Sequence, residues 1–261
     1  MGRLDDQVAL VTGAARGLGA GISRALAAEG ALVVCTDILD SEAVASGLPT
    51  SPSGRRGMAA LLDVTDTLQV ENVIAEVVRN YGSLDILVND AGVPQPKADV
   101  ADTPDEVVNH VLAVNVRGVF ATCRAASRIM RERRRGRIIN IASQVGKLAW
   151  AQGAIYAASK AAVISITQAL ALELGPYNVT VNSICPGTID TEMTRYVWGQ
   201  LAVAAGQDTN TFLASKAASI PVGRLGTAED VGAMVVWLAS DAASFTTGAA
   251  LNLTGGEQVF F

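Results

Sequence analysis

The 261-residue chain is half hydrophobic, only 17% charged, and carries a net charge of −5 at neutral pH. A charged share below the roughly 25% typical of soluble proteins predicts surface hidden within one α/β domain or against further copies of the chain, so a homo-oligomer is expected. The acidic balance excludes general attraction to nucleic acid or anionic membranes, and the single histidine, His110, excludes His-dependent triads and most zinc sites; small molecules are the expected partners, and no metal.

The opening, MGRLDDQVAL, has no apolar signal core, and Asp6 stands where a myristoylation signal needs Ser or Thr. VALVT (8–12) reads as the first strand. The turn LVTGAARGLGAG follows it and opens a helix over 17–30. Gly13, Gly17 and Gly19 let the backbone turn tightly and approach a pyrophosphate, whose charge the free amides of the helix start stabilise. A second strand, LVVCT (32–36), ends beside Asp37, eighteen residues beyond Gly19, where a carboxylate binds a ribose diol. Asp37 repels the 2′-phosphate of NADP, whereas Arg16 is able to pair with it. The carboxylate occupies the needed space and an exposed arginine swings away, so NAD is the expected cofactor.

The Pro-, Ser- and Gly-rich stretch 47–57 is expected to be a mobile surface connection. Strands AALLDV (59–64) and DILVN (85–89) flank a helix over 66–81. TPDE places Thr103 as N-cap, Pro104 in the first turn and Glu106 at the capping-box position of a helix over 104–134. His110 falls on that helix, with no catalytic role expected. The basic run RERRRGR (131–137) reads as a solvated helix end whose arginines complement the dipole, not as a nucleic-acid patch.

RIINIAS (137–143), VTVNSIC (179–185) and AALNLT (249–254) complete the strand candidates, with helices over 154–175 and 227–240; TAED opens the last with a polar start and an acidic first turn. Most strands are continuous apolar runs, as expected of parallel strands covered on both faces. The alternation predicts an α/β fold: a single-domain, Rossmann-type doubly wound parallel sheet of about seven strands with helices on both faces, spanning 1–261. No stretch reaches the roughly 18 consecutive apolar residues of a membrane helix. Cys35, Cys123 and Cys185 are too scattered for a disulfide framework or CxxC site, so reduced thiols and a cytoplasmic location are expected.

TGAARGLG (12–19), NDAG (89–92), Asn115, Ser143, YAASK (156–160) and PGTIDT (186–191) occur in the order and at the spacings of the short-chain dehydrogenase/reductase family, which the chain resembles from about Val8 to Gly256. The resemblance implies a catalytic group of Tyr156, Lys160, Ser143 thirteen residues upstream, and Asn115. A free tyrosine, with a pKa of about 10, is too weakly acidic to serve as a base at neutral pH, and a cation four residues along the helix stabilises its phenolate. Lys160 is therefore expected to bring Tyr156 to working pH and to hold the nicotinamide ribose. Ser143 would hydrogen-bond the reacting oxygen, and Asn115 would position a water linking Lys160 to solvent. The resemblance further implies cofactor contacts from Leu18 in the glycine turn, Asp63 and Val64 at the adenine, and Asn89, Ala91 and Gly92 after the fourth strand. Pro186, Gly187, Ile189 and Thr191 are implied beside the carboxamide and pyrophosphate. Asp90 departs from the usual Asn-Asn-Ala-Gly motif; altered stability without lost catalysis is expected there.

About 188–220 is expected to form a substrate lid of two helices. Trp198 on it, with Gln144 and Trp150 between Ser143 and Tyr156, are candidate substrate contacts. The chain is similar to members that oxidise polyols or vicinal diols, acetoin and sugar-alcohol dehydrogenases among them. That implies NAD(H)-dependent interconversion of a secondary alcohol and its ketone. The alternatives are an NADPH-dependent 3-oxoacyl-thioester reductase, a hydroxysteroid or natural-product ketone dehydrogenase, and a non-catalytic NAD-sensing protein. Small residues such as Ala157, Ala158, Ala161 and Ala162 permit close helix contact between subunits, and family members commonly form tetramers, so a homotetramer is expected.

Overall fold

The apolar runs form seven parallel strands of one sheet: β1 (Val8–Thr12), β2 (Leu32–Asp37), β3 (Met58–Leu61), β4 (Ile86–Asn89), β5 (Gly136–Ile141), β6 (Val179–Pro186) and β7 (Ala250–Leu253). Their spatial order is β3-β2-β1-β4-β5-β6-β7 in this computed structural model, which describes residues 2–259. Strands β1, β4, β5 and β6 are buried along their whole length, which is why their sequences lack period-two alternation.

Nine α-helices are assigned among the described residues: α1 (Gly17–Ala28), α2 (Glu42–Gly47), α3 (Thr67–Tyr81), α4 (Asp105–Leu112), α5 (Val119–Arg133), α6 (Ala154–Leu174), α7 (Glu192–Ala204), α8 (Thr209–Ser219) and α9 (Ala228–Ala239). One face of the sheet is covered by α1 and α9 through Ile22, Leu26, Val231 and Val235. The other is covered by α3, α5 and α6 through Val70, Ile74, Met130 and Val163. Each large aliphatic side chain fully buried in these layers stabilises the fold by about 1.5–3 kcal/mol. The strand order reverses between β1 and β4, and that reversal opens a crevice at the carboxyl ends of the strands.

Several local expectations are corrected. The helix expected over 104–134 is interrupted by a π-helical turn, Ala113–Gly118, with Asn115 inside it. Thr103 is not the cap: Pro104 is extended there, so Thr103 lies one residue outside the helix and its hydroxyl donates to the Asp99 carbonyl at 2.9 Å. Thr227 and Asp230 do form a capping box at α9. Strand β3 ends at Leu61, leaving Asp63 in a turn, and the short helix α2 was not foreseen. The 47–57 stretch is anchored: Ser53 N–H donates to Asp6 Oδ1 at 3.1 Å, and the Tyr81 hydroxyl donates to the Arg56 carbonyl at 3.1 Å.

In the basic run, Arg133 and Arg134 donate to the carbonyls of Gly82 and Pro176, and buried Arg137 pairs with Asp241 at 3.2 Å. By length and composition the helix over 154–177 is apolar enough to cross a membrane. In this fold it lies against β6 and α5, with Lys160 buried.

Candidate active site

The carboxyl ends of the strands bring the motifs to one edge of the sheet. After β1, Gly13 and Gly17 take φ of +71° and +56°, a region other residues enter only with strain. A Cβ on Gly19 would stand 2.2 Å from the Gly13 carbonyl oxygen, so only glycine lets α1 start this close to the turn. Arg16 occupies the N-cap without a side-chain cap bond, and the first amides of α1 suit a phosphate group. Leu18 packs, partly buried, on the core below.

Asp37 closes the turn at the end of β2. Its Oδ2 accepts from Ala15 N–H and its Oδ1 from Leu39 N–H, both at 3.0 Å. Arg16 turns the other way and pairs with Glu192, the first residue of α7, at 2.8 Å. Uncapped amides and a glycine-rich turn together fit the pyrophosphate of a nicotinamide dinucleotide.

Asn89 at the end of β4 is buried; its Nδ2 donates to Asn140 Oδ1 at 2.8 Å and its Oδ1 accepts from Thr122 Oγ1 at 2.7 Å. Asn89 thereby ties β4 to β5 and to α5. Thr12, which sequence reasoning passed over, accepts from Asp90 and Ala91 N–H through its hydroxyl and ties β1 to this turn. The Asp90 carboxylate accepts from Gly19 N–H and interacts with the Lys160 charge. Burial pushes Asp90 up to about 7, with Lys160 and the Gly19 amide opposing the rise. A Cβ on Gly92 would come 3.5 Å from Lys160 Nζ, so this turn opens directly toward the lysine.

Ser143, Tyr156 and Lys160 meet as their spacing predicts. The Tyr156 phenol hydrogen-bonds Ser143. Lys160 Nζ lies 5.8 Å from the centre of the Tyr156 ring and donates to the Ile141 carbonyl at 2.8 Å. Asn115 Oδ1 accepts from Val93 N–H at 2.8 Å, and its Nδ2 donates to the Val93 carbonyl at 3.0 Å and to Ser159 Oγ at 3.1 Å.

One electrostatic expectation is overturned. Tyr156 is not lowered in this state but pushed up to about 12, first by burial; the Ser143 hydrogen bond lowers it and the Asp90 charge raises it further. Lys160 is itself pushed down to about 8 by burial, with Asp90 pulling it back up. Desolvation is the largest cause of both shifts.

The other residues expected to contact a cofactor are placed by local bonds and packing. Asp63 holds a local turn, its Oδ1 accepting from Thr65 N–H and Oγ1, and Val64 is buried beside Gly118. Pro186 ends β6, Gly187 N–H donates to the Leu253 carbonyl at 3.0 Å, and Ile189 pairs with Gly226 in an isolated parallel bridge. Thr191 caps α7 by accepting from Thr194 N–H at 3.3 Å.

Helices α7 and α8 lie where the lid was expected. Trp198 meets Trp150 edge-on, ring centres 6.4 Å apart, and Phe212 at 5.9 Å. Gln144 is 96% buried, not a free wall of the pocket. Its side chain hydrogen-bonds Glu257, a residue missed in the sequence because it is 113 positions away. Glu257 also accepts from Thr188 N–H at 2.8 Å and pairs with Lys216 of α8 at 2.8 Å. A cavity of about 380 Å³ is walled by Val93, Pro94, Pro96, Tyr196 and His110, which is on α4 as expected and exposed. Ala157 is buried in its own protomer and cannot serve a subunit contact; Ala158 and Ala161 are exposed.

Comparisons with known proteins agree with this geometry. A family model described as enoyl-(acyl carrier protein) reductase matches residues 13–258. Galactitol 2-dehydrogenase of Agrobacterium fabrum is 38% identical over 256 residues, covering 98% of both chains. An NAD-dependent glycerol dehydrogenase of Listeria innocua is 39% identical over 258 residues, covering 98% of this chain and 95% of its own. Among solved structures, a variant of actinorhodin polyketide ketoreductase with NADPH superposes with a TM-score of 0.92 at 35% identity, over 100% of both chains.

Proposed function

The chain belongs to the short-chain dehydrogenase/reductase family of nicotinamide-dependent oxidoreductases, and from that membership we propose that it interconverts a secondary alcohol and its ketone, using NAD(H), on a polyol, diol or small hydroxyketone. The observation that carries the reading is the hydrogen-bonded Ser143–Tyr156 pair with Lys160 one helical turn away, at the edge of a crevice lined by the glycine turn.

A bound nicotinamide supplies the hydride acceptor or donor. Tyr156 takes the alcohol proton in oxidation and returns it in reduction, while Ser143 donates a hydrogen bond to the reacting oxygen. Lys160 favours the phenolate through its charge, and Asn115 fixes the Val93 backbone that walls the pocket. Asp37 supports NAD, because its backbone-held carboxylate stands where a 2′-phosphate would go, and Arg16 is engaged by Glu192. The galactitol and glycerol dehydrogenases support a polyol substrate.

Replacing Tyr156 by Phe tests the reading: turnover should be abolished while cofactor binding persists. Retained turnover would reject it. A second reading, reduction of a bulkier ketone with NADPH, draws on the mostly apolar cavity beside Val93 and on the ketoreductase relative. A higher kcat/KM with NADPH than with NADH would promote it. We further propose a homotetramer, since Phe120 on α5 and Leu172, Ala158 and Ala161 on α6 all stand exposed.

A further inference from the structure

Helix α6, which carries Tyr156 and Lys160, begins without a cap of its own. Its N-cap is Gly153, which offers no side chain to the amides of the first turn. A side chain there would displace the indole of Trp150: a Cβ on Gly153 would stand 2.4 Å from the Trp150 Nε1 and 2.7 Å from its Cδ1. Trp150 packs over this glycine and meets Trp198 of α7 on its other side.

The missing acceptor comes from the loop after β4. Gln95 Oε1 accepts from Ile155 N–H at 3.0 Å and from Tyr156 N–H at 3.1 Å. These are the second and third helical residues, the two amides that a capping serine or aspartate ordinarily satisfies. Gln95 is 92% buried, and its removal takes away the one acceptor that both amides share. The loop that presents it is stiff. Pro94 and Pro96 flank Gln95, fix their own φ and hold Val93 and Gln95 extended. Asn115 clamps the same loop at both polar groups of Val93. Val93, Pro94 and Pro96 also wall the 380 Å³ cavity.

We propose that Gln95 is a positioning residue for the reaction: by capping the catalytic helix from the loop after β4, it fixes Tyr156 relative to Ser143 and couples the cavity wall to the proton-transferring group. The inference rests on the reading of Tyr156 as acid and base. Its mechanism is geometric. The Tyr156 backbone is held directly, and a phenol that drifts from Ser143 loses the hydrogen bond that lowers its pKa. Misplacement of a reacting group by about 1 Å costs roughly a hundredfold in rate.

The test compares Q95M, which keeps length but lacks the acceptor, with Q95E, which keeps an acceptor for both amides. Y156F is measured alongside, and each full-length variant is assayed for kcat, KM, the pH dependence of kcat in alcohol oxidation, and cofactor affinity by fluorescence of the reduced nicotinamide. Q95M is expected to lose roughly tenfold to a hundredfold in kcat, with the acid limb of its profile displaced to higher pH and cofactor affinity unchanged; Q95E should recover most of the kcat. Wild-type kcat and pH profile in Q95M would overturn the proposal. So would parallel losses of cofactor affinity and melting temperature that Q95E does not repair, since these mark a role in folding alone. A Y156F variant with wild-type turnover would remove the underlying reading, whereas an inactive Y156F beside an unaffected Q95M would remove only the inference about Gln95.

Discussion

Lys160 holds its ammonium 5.8 Å from the centre of the Tyr156 ring, yet the phenol is harder to ionise than free tyrosine. Burial dominates, and the nearby Asp90 carboxylate adds to the cost of a phenolate. Removing that carboxylate should ease ionisation. The expected outcome for Asp90→Asn is an alcohol-oxidation pH profile displaced to lower pH, measured as kcat against pH with saturating cofactor. A profile that stays in place would show that Asp90 does not act on the phenol.

Asp90 also links stability to pH. Its folded pKa, about 7, is above the ordinary 3.8, so between these values the native state holds a proton that the unfolded chain has lost. Stability from this group therefore falls as pH rises through that window. Asp90→Asn should gain on the wild type by about 4–8 °C in melting temperature on going from pH 4 to pH 7, a range equivalent to a couple of kcal/mol for a chain of this size. A constant difference across the window would contradict the linkage.

Glu257 joins α8, the loop after β6 and the residue following Ser143 in one buried carboxylate network. Burial raises its pKa, but bonds from Lys216, Thr188 and Gln144 prevail and hold it below the usual value of 4.5. Its contribution is complete above that value and is lost as pH falls through the lower, folded pKa. Glu257→Ala should lower stability by about 1–3 kcal/mol at pH 7, with protease cleavage within 192–219 rising before global unfolding. Unchanged cleavage would show that the network does not hold the lid.

The proposed preference for NAD(H) rests on the Asp37 carboxylate. Wild-type kcat/KM should favour NADH over NADPH by about tenfold or more, the equivalent of 1.4 kcal/mol of repulsion at the 2′-position. Asp37→Ser should erase most of that preference. Equal wild-type values for the two cofactors would refute the assignment.

The exposed faces of α5 and α6 predict assembly. Light scattering should return four chains, and Leu172→Glu, at a site 81% exposed in the single chain, should weaken the assembly without changing the fold measured by circular dichroism. A wild-type monomer would reject the tetramer.

The sheet was legible because parallel strands buried on both faces are written as unbroken apolar runs, as in β1 and β6. Ser143, Tyr156 and Lys160 were legible because one strand end and one helix turn set their separation. Gln95 and Glu257 were not. Their partners lie 61 and 69 residues away, at Tyr156 and Thr188, and no local periodicity records a hydrogen bond of that span. The Asn115 turn was hidden for another reason: a π-helical insertion leaves the apolar pattern on either side helical. The sign of the Tyr156 shift also escaped sequence reasoning, because a one-turn spacing reports the cation but not the burial of both groups.

The tryptophan seated on Gly153 makes three distant positions mutually dependent during sequence change. A lineage that regained serine at 153 would first have to surrender the indole at 150, and would then be free to lose the glutamine at 95. Substitutions at these sites should therefore travel together, with small residues at 150 accompanying a self-capped helix.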